Sequence, residues 1–296
     1  YKLLTRAYGK EFPWGILTGI RPVKLVHDFM DKGFSEEEVK EKLKDEYLVS
    51  DDRAVLALKI AKIEKPFIYP VEPDSVSIYI GIPFCPSRCY YCSFASNPIN
   101  RYNKLVEPYL YALMKEIREI SRYMKERNLI AQTIYIGGGT PTSINDRELK
   151  SLIRCIVECF GSSVSEFTCE AGRPDSITEE KLKILKAGGV SRISINPQTM
   201  NDETLRRIGR SHNTDEIRKS FKEARKAGFD NINMDIILGL PGETLQDVRN
   251  TLSEIKKLDP ESITVHTLAI KRASVYNEVF KESSLPDDEA VKDMME

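Results

Sequence analysis

The sequence has few of the residues that mark secreted or membrane-embedded proteins. Six cysteines among 296 residues are too few for a disulfide scaffold. No apolar run approaches the roughly 18 residues of a membrane span, and charge follows the first residues too quickly for a signal peptide. The formal net charge is −1, so no basic excess predicts a nucleic-acid partner. These absences favour a globular protein of the reducing cytoplasm.

The length predicts about two domains, and the composition changes near residue 70. Residues 1–70 predict a small, mainly helical region, in which Ser35 caps a helix that begins with three glutamates. Pro66, Pro70 and Pro73 then mark a linker into a second domain, residues 71–296. Because the chain begins with Tyr1 and ends in a charged stretch, we expect a fragment, truncated at its C-terminus.

In the second domain, apolar strands alternate with single amphipathic helices. We expect the strands at 76–82, 133–136, 166–170, 191–196, 231–238 and 262–268. We expect the helices at about 104–127, 146–159, 177–187, 215–227 and 244–257. Six strands separated by helices indicate a parallel sheet. The fold class is therefore α/β, a full or partial parallel (β/α)6 barrel with a small helical region before it.

Three cysteines follow the first strand in one short loop. Cys85, Cys89 and Cys92 have the spacing Cys-x3-Cys-x2-Cys, which presents soft ligands suited to an iron–sulfur cluster or to zinc. Zinc usually takes four protein ligands, and no fourth Cys or His lies nearby in the sequence. Three thiolates on a four-iron cluster would leave one iron open for another ligand. The spacing favours a cluster and leaves zinc as the alternative.

Chemically distinctive residues also follow or end the next strands. Three glycines, Gly137–Gly139, and then Thr140 come after the second strand, where the backbone can approach a ligand closely. Glu170 ends the third strand, the fourth runs into Gln198, and Asp235 interrupts the apolar fifth. Since buried carboxylates need partners, these two either bind a ligand or pair with an arginine such as Arg192 or Arg210.

Other polar residues have a simpler interpretation. Cys155 and Cys159 lie one turn apart on an apolar helix face, and Cys169 faces away from Glu170, so we expect core thiols. His266, in the sixth strand, could reach the rim of the barrel, but we expect it to be a hydrogen-bonded core histidine. Ser176 and Glu179 have the spacing of a capping box at the start of the third helix.

The motifs together resemble the radical S-adenosylmethionine (SAM) superfamily. The three cysteines with Tyr91 between the last two, followed by Gly137–Thr142, carry this resemblance. The stretches 79–85 and 235–242 resemble its oxygen-independent coproporphyrinogen III oxidase group. Two further stretches, 13–22 and 265–272, resemble the coproporphyrinogen dehydrogenase branch. The resemblance covers essentially the whole chain and implies a partial radical SAM barrel.

The resemblance implies two cofactors, a [4Fe–4S] cluster and SAM, and roles for particular residues. The cluster would be held by Cys85, Cys89 and Cys92. The methionine moiety of SAM would contact Gly138, Gly139, Thr140, Glu170 and Arg210. Its ribose would contact Gln198 and Asp235, and its adenine Tyr91 and the Ala269 backbone, with Tyr79 beside the cofactor.

The resemblance also implies a reaction. A low-potential electron donor would reduce the cluster, SAM would be cleaved, and the resulting radical would take a hydrogen atom from a propionate of coproporphyrinogen III. Loss of carbon dioxide and an electron leaves a vinyl group, and two rounds give protoporphyrinogen IX. Related heme chaperones share the pattern in which Ser93 and Phe94, rather than a further cysteine, follow Cys92. A heme-binding chaperone without decarboxylase activity is therefore the alternative function.

Overall fold

The structure is a computed structural model that describes residues 1–17, 19, 21–70, 72–271, 274–276 and 285–295. It divides into two compact units, Tyr1–Pro73 and Asp74–Glu296. Thr18, Ile20 and Arg272, which belong to two of the stretches that carry the resemblance, lie outside the described residues. No helix in the described ranges combines the length and the apolar character that crossing a lipid bilayer requires.

The first unit is built from helices. They are α1 (Lys2–Tyr8), α2 (Pro22–Asp31), α3 (Glu36–Asp45) and α4 (Asp51–Ile68). Ser35 begins α3 with the expected cap: its hydroxyl accepts from the Glu38 N–H, and the Glu38 carboxylate accepts from the Ser35 N–H at 2.7 Å. Val26, Val39 and Leu43 are fully buried in the apolar core of this unit.

The main strands of the second unit are β1 (Ser75–Ile82), β4 (Ile130–Gly138), β5 (Glu166–Gly172), β6 (Arg192–Ile195), β7 (Ile232–Leu238) and β8 (Ser262–Thr267). In the described ranges these six strands form one parallel sheet in the order β1–β4–β5–β6–β7–β8. Two short strands, β2 (Phe84–Cys85) and β3 (Asn97–Pro98), form a separate parallel pair. The expected α/β fold with a six-stranded parallel sheet is confirmed.

Helices connect the strands and cover one face of the sheet. They include α5 (Ile99–Glu126), α6 (Asp146–Phe160), α7 (Glu179–Ala187), α8 (Asp202–Arg207), α9 (Thr214–Lys226), α10 (Leu245–Leu258) and α11 (Asp288–Met295). On α6, Leu149, Leu152 and Ile156 recur at helical spacing and are fully buried. The short helix α8, the pair β2–β3 and α11 were not predicted from the sequence.

Alternate residues of the strands face opposite sides of the sheet. In β4, Ile134 and Ile136 are fully buried in the apolar core, whereas Tyr135 between them lines a cavity. In β5, Cys169 is fully buried in that core, and Glu170 lines the same cavity. The expectation that Cys169 and Glu170 face opposite sides is confirmed. Cys155 is buried as expected, and Cys159 is half-buried.

The expected capping box at Ser176 is wrong. Pro174–Ser176 forms a separate 3₁₀ turn, in which the Ser176 hydroxyl donates to the Arg173 carbonyl at 2.7 Å. The cap of helix α7 lies two residues later, where the Thr178 hydroxyl accepts from the Lys181 N–H at 3.2 Å. Because the Ser176 hydroxyl is hydrogen-bonded within the turn, the next hydroxyl along the chain, that of Thr178, caps the helix.

Candidate functional site

A cavity of about 570 Å³ lies at the carboxyl ends of the strands. Parallel strands place the residues that follow them at one edge of the sheet, where ligand sites of such folds form. Eleven of the thirteen residues selected from the sequence line this cavity: Cys85, Cys89, Cys92, Tyr91, Gly138, Gly139, Thr140, Glu170, Gln198, Arg210 and Asp235. Tyr79 and Ala269 are outside the lining. Tyr79 is 65% exposed and stacks on Tyr135, with ring centroids 5.8 Å apart.

The cysteine loop connects β2 to β3, and the pairing of these short strands closes it. Cys85 and Cys89 are buried and Cys92 is half-buried, all as free thiols. The Thr140 hydroxyl donates to Cys85 Sγ at 3.4 Å. Burial raises the pKa of the Cys85 and Cys92 thiols, so their thiolates need a positive partner such as iron.

No three His, Cys, Asp or Glu side chains in the described ranges form a group that could hold a single metal ion. A four-iron cluster requires a different ligand geometry, because each thiolate binds its own iron and the three sulfur atoms need not meet at one point. The three cysteines around the cavity fit that geometry.

The glycines allow β4 to approach the cysteine loop. A Cβ atom on Gly139 would lie 2.6 Å from the Phe84 carbonyl and 3.0 Å from Cys85 Sγ. Gly138 has φ of +105°, in the region that favours glycine. The sequence predicted close approach of this backbone to a ligand. The structure adds that the same glycines allow the end of β4 to lie close to the cysteine loop of the same chain.

Glu170 has a different partner from those expected. The Tyr135 hydroxyl donates to Glu170 Oε1 at 2.5 Å. Burial raises the pKa of Glu170, while the Tyr135 hydrogen bond and the charge of Arg192 partly offset that effect. Asp235 accepts a hydrogen bond from Asn233 Nδ2 at 2.6 Å. A tyrosine and an asparagine therefore support the two carboxylates, and both carboxylates line the cavity.

Gln198 has an unusual backbone and a side-chain oxygen without a partner. Its φ is +69°, a backbone conformation that residues other than glycine rarely adopt. The residue is held there because its N–H donates to the Asp235 carbonyl at 3.0 Å and its carbonyl accepts from the Ile237 N–H at 2.9 Å. Its Oε1 is buried and accepts no hydrogen bond among the described residues. Such an acceptor in a cavity fits the hydroxyl groups of a ligand.

Arg210 brings a buried positive charge to the cavity. Only 7% exposed, it donates to the Asn196 carbonyl at 2.8 Å and to the Tyr91 hydroxyl at 3.0 Å. The ion pairs found in the described ranges do not include Arg210. Because a buried guanidinium without an anion is costly, this position fits a ligand carboxylate. Together, Arg210, Glu170 and Gln198 present a cation, an anion and an acceptor to one cavity.

Several polar residues that line the cavity were not selected as site residues from the sequence. They are alternate polar residues of three neighbouring strands: Arg192, Ser194 and Asn196, then Asn233, then Thr264 and His266. The period-two spacing was the available signal, because such residues share one face of a strand. The expectation for His266 is wrong: it is exposed at the cavity rather than buried in the core. It lies near the end of β8, which is an edge strand of the sheet in the described ranges.

Comparisons with known proteins agree with this geometry. The family model of the radical SAM superfamily matches residues 79–255. The chain is 45% identical, over 99% of its length, to the oxygen-independent coproporphyrinogen-III oxidase-like protein HemZ of Bacillus subtilis. It is 39% identical, over 74% of its length, to the heme chaperone HemW of that species. It spans 60% and 58% of these two relatives.

Among solved structures, the chain is similar to coproporphyrinogen III oxidase (HemN) from Escherichia coli, which is described as a radical SAM enzyme. The TM-score is 0.69 and the identity 28%, and the match covers 80% of this chain and 54% of HemN. The six-stranded sheet, the cysteine loop and the match over residues 79–255 agree with one another. This chain belongs to the radical SAM superfamily, and its cofactors are a [4Fe–4S] cluster and SAM.

Proposed function

We propose that this chain takes part in the oxygen-independent oxidative decarboxylation of coproporphyrinogen III to protoporphyrinogen IX, a step of heme biosynthesis. The observation that carries the proposal is the 45% identity, over 99% of the chain, to a coproporphyrinogen oxidase-like protein. The site supports it, because thiols, buried charges and a cavity of about 570 Å³ lie together. The proposed compartment is the cytoplasm, where thiols remain reduced.

Cys85, Cys89 and Cys92 are the proposed ligands of the cluster. When bound, the cluster and SAM supply a radical that removes a hydrogen atom from a substrate propionate. Burial of Cys85 and Cys89 limits the access of water and oxygen to this chemistry. A low-potential electron donor is the proposed partner. In each round the propionate would give one hydrogen atom to the radical and one electron to a separate one-electron acceptor, release carbon dioxide and become a vinyl group.

The buried charges position the methionine moiety of SAM in this proposal. Glu170 binds the ammonium group of this moiety, and Arg210 binds its carboxylate. Each charged side chain of the cavity thereby gains a partner of opposite charge. Gly138, Gly139 and Thr140 line the same moiety, since their backbone forms the cavity wall next to the cysteine loop.

The remaining contacts concern the nucleoside. Gln198 and Asp235 bind the ribose hydroxyls, for which the buried Gln198 Oε1 is a free acceptor. Tyr91, held by Arg210, contacts the adenine. The Ala269 backbone also contacts the adenine, and Tyr79 lies beside the cofactor. These last two are proposed from the resemblance, because neither lines the cavity.

A heme chaperone is the second candidate function. Its support is the 39% identity to HemW and the Ser93-Phe94 sequence that follows Cys92. A chaperone of this kind would bind heme on the same scaffold without decarboxylating a porphyrinogen.

The deciding experiment is anaerobic cluster reconstitution followed by dithionite, SAM and coproporphyrinogen III, with mass spectrometry of 5′-deoxyadenosine and vinyl products. Both products would support the decarboxylase. Stoichiometric heme binding without either product would favour the chaperone. The Cys89→Ala variant should lose iron and sulfide, whereas the matched variant Cys155→Ala, which changes a core thiol, should retain them.

A further inference from the structure

A buried arginine, Arg173, contacts the cysteine loop from the end of β5. It is only 3% exposed. Its Nη1 donates to the carbonyl and to the hydroxyl of Ser87, each at 3.0 Å, and lies 3.6 Å from Cys89 Sγ. One guanidinium nitrogen thus holds both the loop backbone and a thiol of the loop.

Asp175 holds the opposite side of the same guanidinium. Arg173 Nε donates to Asp175 Oδ1 at 2.9 Å, and Nη2 donates to Oδ2 at 2.6 Å, which is a two-point contact. Burial alone would raise the pKa of Asp175, but the neighbouring His212 and Arg173 outweigh it and lower that pKa. Asp175 therefore remains a carboxylate and fixes the orientation of Arg173.

His212 is the third member of this group. Its Nδ1 lies 3.6 Å from Asp175 Oδ1, and the ring is buried. Burial lowers the pKa of His212, so the ring is neutral near pH 7. The charges of the group are therefore one guanidinium, which faces Cys89, and one carboxylate on its far side.

We propose that Arg173, oriented by Asp175, sets the reduction potential of the cluster through its contact with Cys89. The inference rests on the proposed ligation of iron by Cys89. When the cluster takes one electron from a reductant, its charge becomes more negative by one unit. A fixed positive charge beside a ligand sulfur stabilises that reduced state. Arg173 is in this sense a positioning residue with an electrostatic effect.

If Arg173 only held the cysteine loop in place, the expected reduction potentials of its variants would differ from those expected for an electrostatic effect. Removing Arg173 takes away the positive charge and should make reduction harder. Removing the charge of Asp175 leaves Arg173 less neutralised and should make reduction easier. Loosening of the loop alone has no reason to change the potential in opposite directions for the two variants.

The test is a redox titration of the reconstituted cluster without SAM, followed by electron paramagnetic resonance. For Arg173→Gln we expect an equilibrium constant of reduction about tenfold lower, which is about 59 mV for one electron. For Asp175→Asn we expect a shift to higher potential. Arg173→Lys keeps the charge and should restore part of the loss. The matched control is Arg154→Gln, an exposed arginine paired with Glu158 on α6, which should leave the potential unchanged.

Measurement of iron and sulfide content distinguishes failure of the proposed ligation by Cys89 from failure of the proposed effect of Arg173. Variants with full cluster content and wild-type potentials would overturn the role of Arg173 and leave the cluster ligands in place. If Cys89→Ala kept its cluster, the proposed ligation would fail first. If Arg173→Gln lost its cluster, Asp175→Asn would decide: a higher potential supports the inference, and an unchanged one overturns it.

Discussion

Tyr135 and Glu170 face each other across two neighbouring strands, and the Tyr135 hydroxyl donates to Glu170 Oε1 at 2.5 Å. Burial, and then the hydrogen bond to Glu170, raise the pKa of Tyr135, so its phenol remains a donor in the neutral pH range. The tyrosine thereby stabilises the ionised form of a half-buried carboxylate beside the cavity.

Tyr135→Phe should move the pH dependence of SAM binding. Protonation of Glu170 removes its attraction for an ammonium group, so affinity should fall as the pH decreases through the pKa of Glu170. Because the Tyr135 hydrogen bond lowers that pKa, its loss should move the fall to higher pH. Equilibrium dialysis of SAM at several pH values measures this. The same change on the exposed Tyr123 is the control, and coincident profiles for both variants would refute the coupling.

Arg210→Met should weaken the binding of SAM about 10- to 100-fold, because a charge-assisted hydrogen bond contributes about 1.5–3 kcal/mol. Titration calorimetry with the reconstituted protein measures the affinity. Arg206→Met removes an exposed arginine four residues earlier and should bind SAM like the wild type. Unchanged affinity in Arg210→Met would exclude this residue as the carboxylate partner.

Glycine and alanine at position 198 should reveal the backbone strain of Gln198. Both variants remove the side chain, but glycine accepts a φ of +69° without the penalty that alanine retains. We expect Gln198→Gly to be about 1 kcal/mol more stable to urea than Gln198→Ala. At the exposed Lys222 inside α9 the order should reverse, because alanine is favoured over glycine in a helix by about 1 kcal/mol. The same order at both positions would contradict a strained backbone at Gln198.

Glu243 should make the protein less stable as the pH rises. The side chain is 5% exposed, and burial raises its pKa from 4.5 to about 7, although its hydrogen bonds with Thr199 and Thr204 act in the opposite direction. The protonated form is therefore favoured in the folded state. Its stabilising effect is complete below the unfolded pKa and is lost as the pH rises towards 7.

Glu243→Gln removes this ionisation while it keeps an acceptor for Thr199. Relative to the wild type, the variant should gain up to about 3 kcal/mol of unfolding free energy between pH 4.5 and 8. Urea unfolding across that range measures the gain. Glu180→Gln, at an exposed position of α7, is the control. A constant difference between Glu243→Gln and the wild type at all pH values would show that Glu243 does not titrate in this window.

The sequence alone was sufficient for the order of the six main strands, and for eleven of the residues that line the cavity. The strand–helix alternation is local, since it depends on the period of apolar residues, and it predicted all six main strands. The cysteine spacing and the glycine run are contiguous, so they can be recognised without a structure. Because parallel strands end at one edge, residues as far apart as Cys85 and Asp235 were expected together, and both line the cavity.

Only the tertiary structure decided which side chains contact each other. Tyr135 and Glu170 meet because β4 and β5 pair in one register, and their sequence separation of 35 carries no sign of it. Arg173 reaches Cys89 across 84 residues because the turn after β5 packs against the cysteine loop. His266 lies near the end of β8, an edge strand of the described sheet, and is exposed at the cavity. Local patterns determine elements and their ends, whereas partners across the sheet depend on register and packing, which no short stretch of sequence encodes.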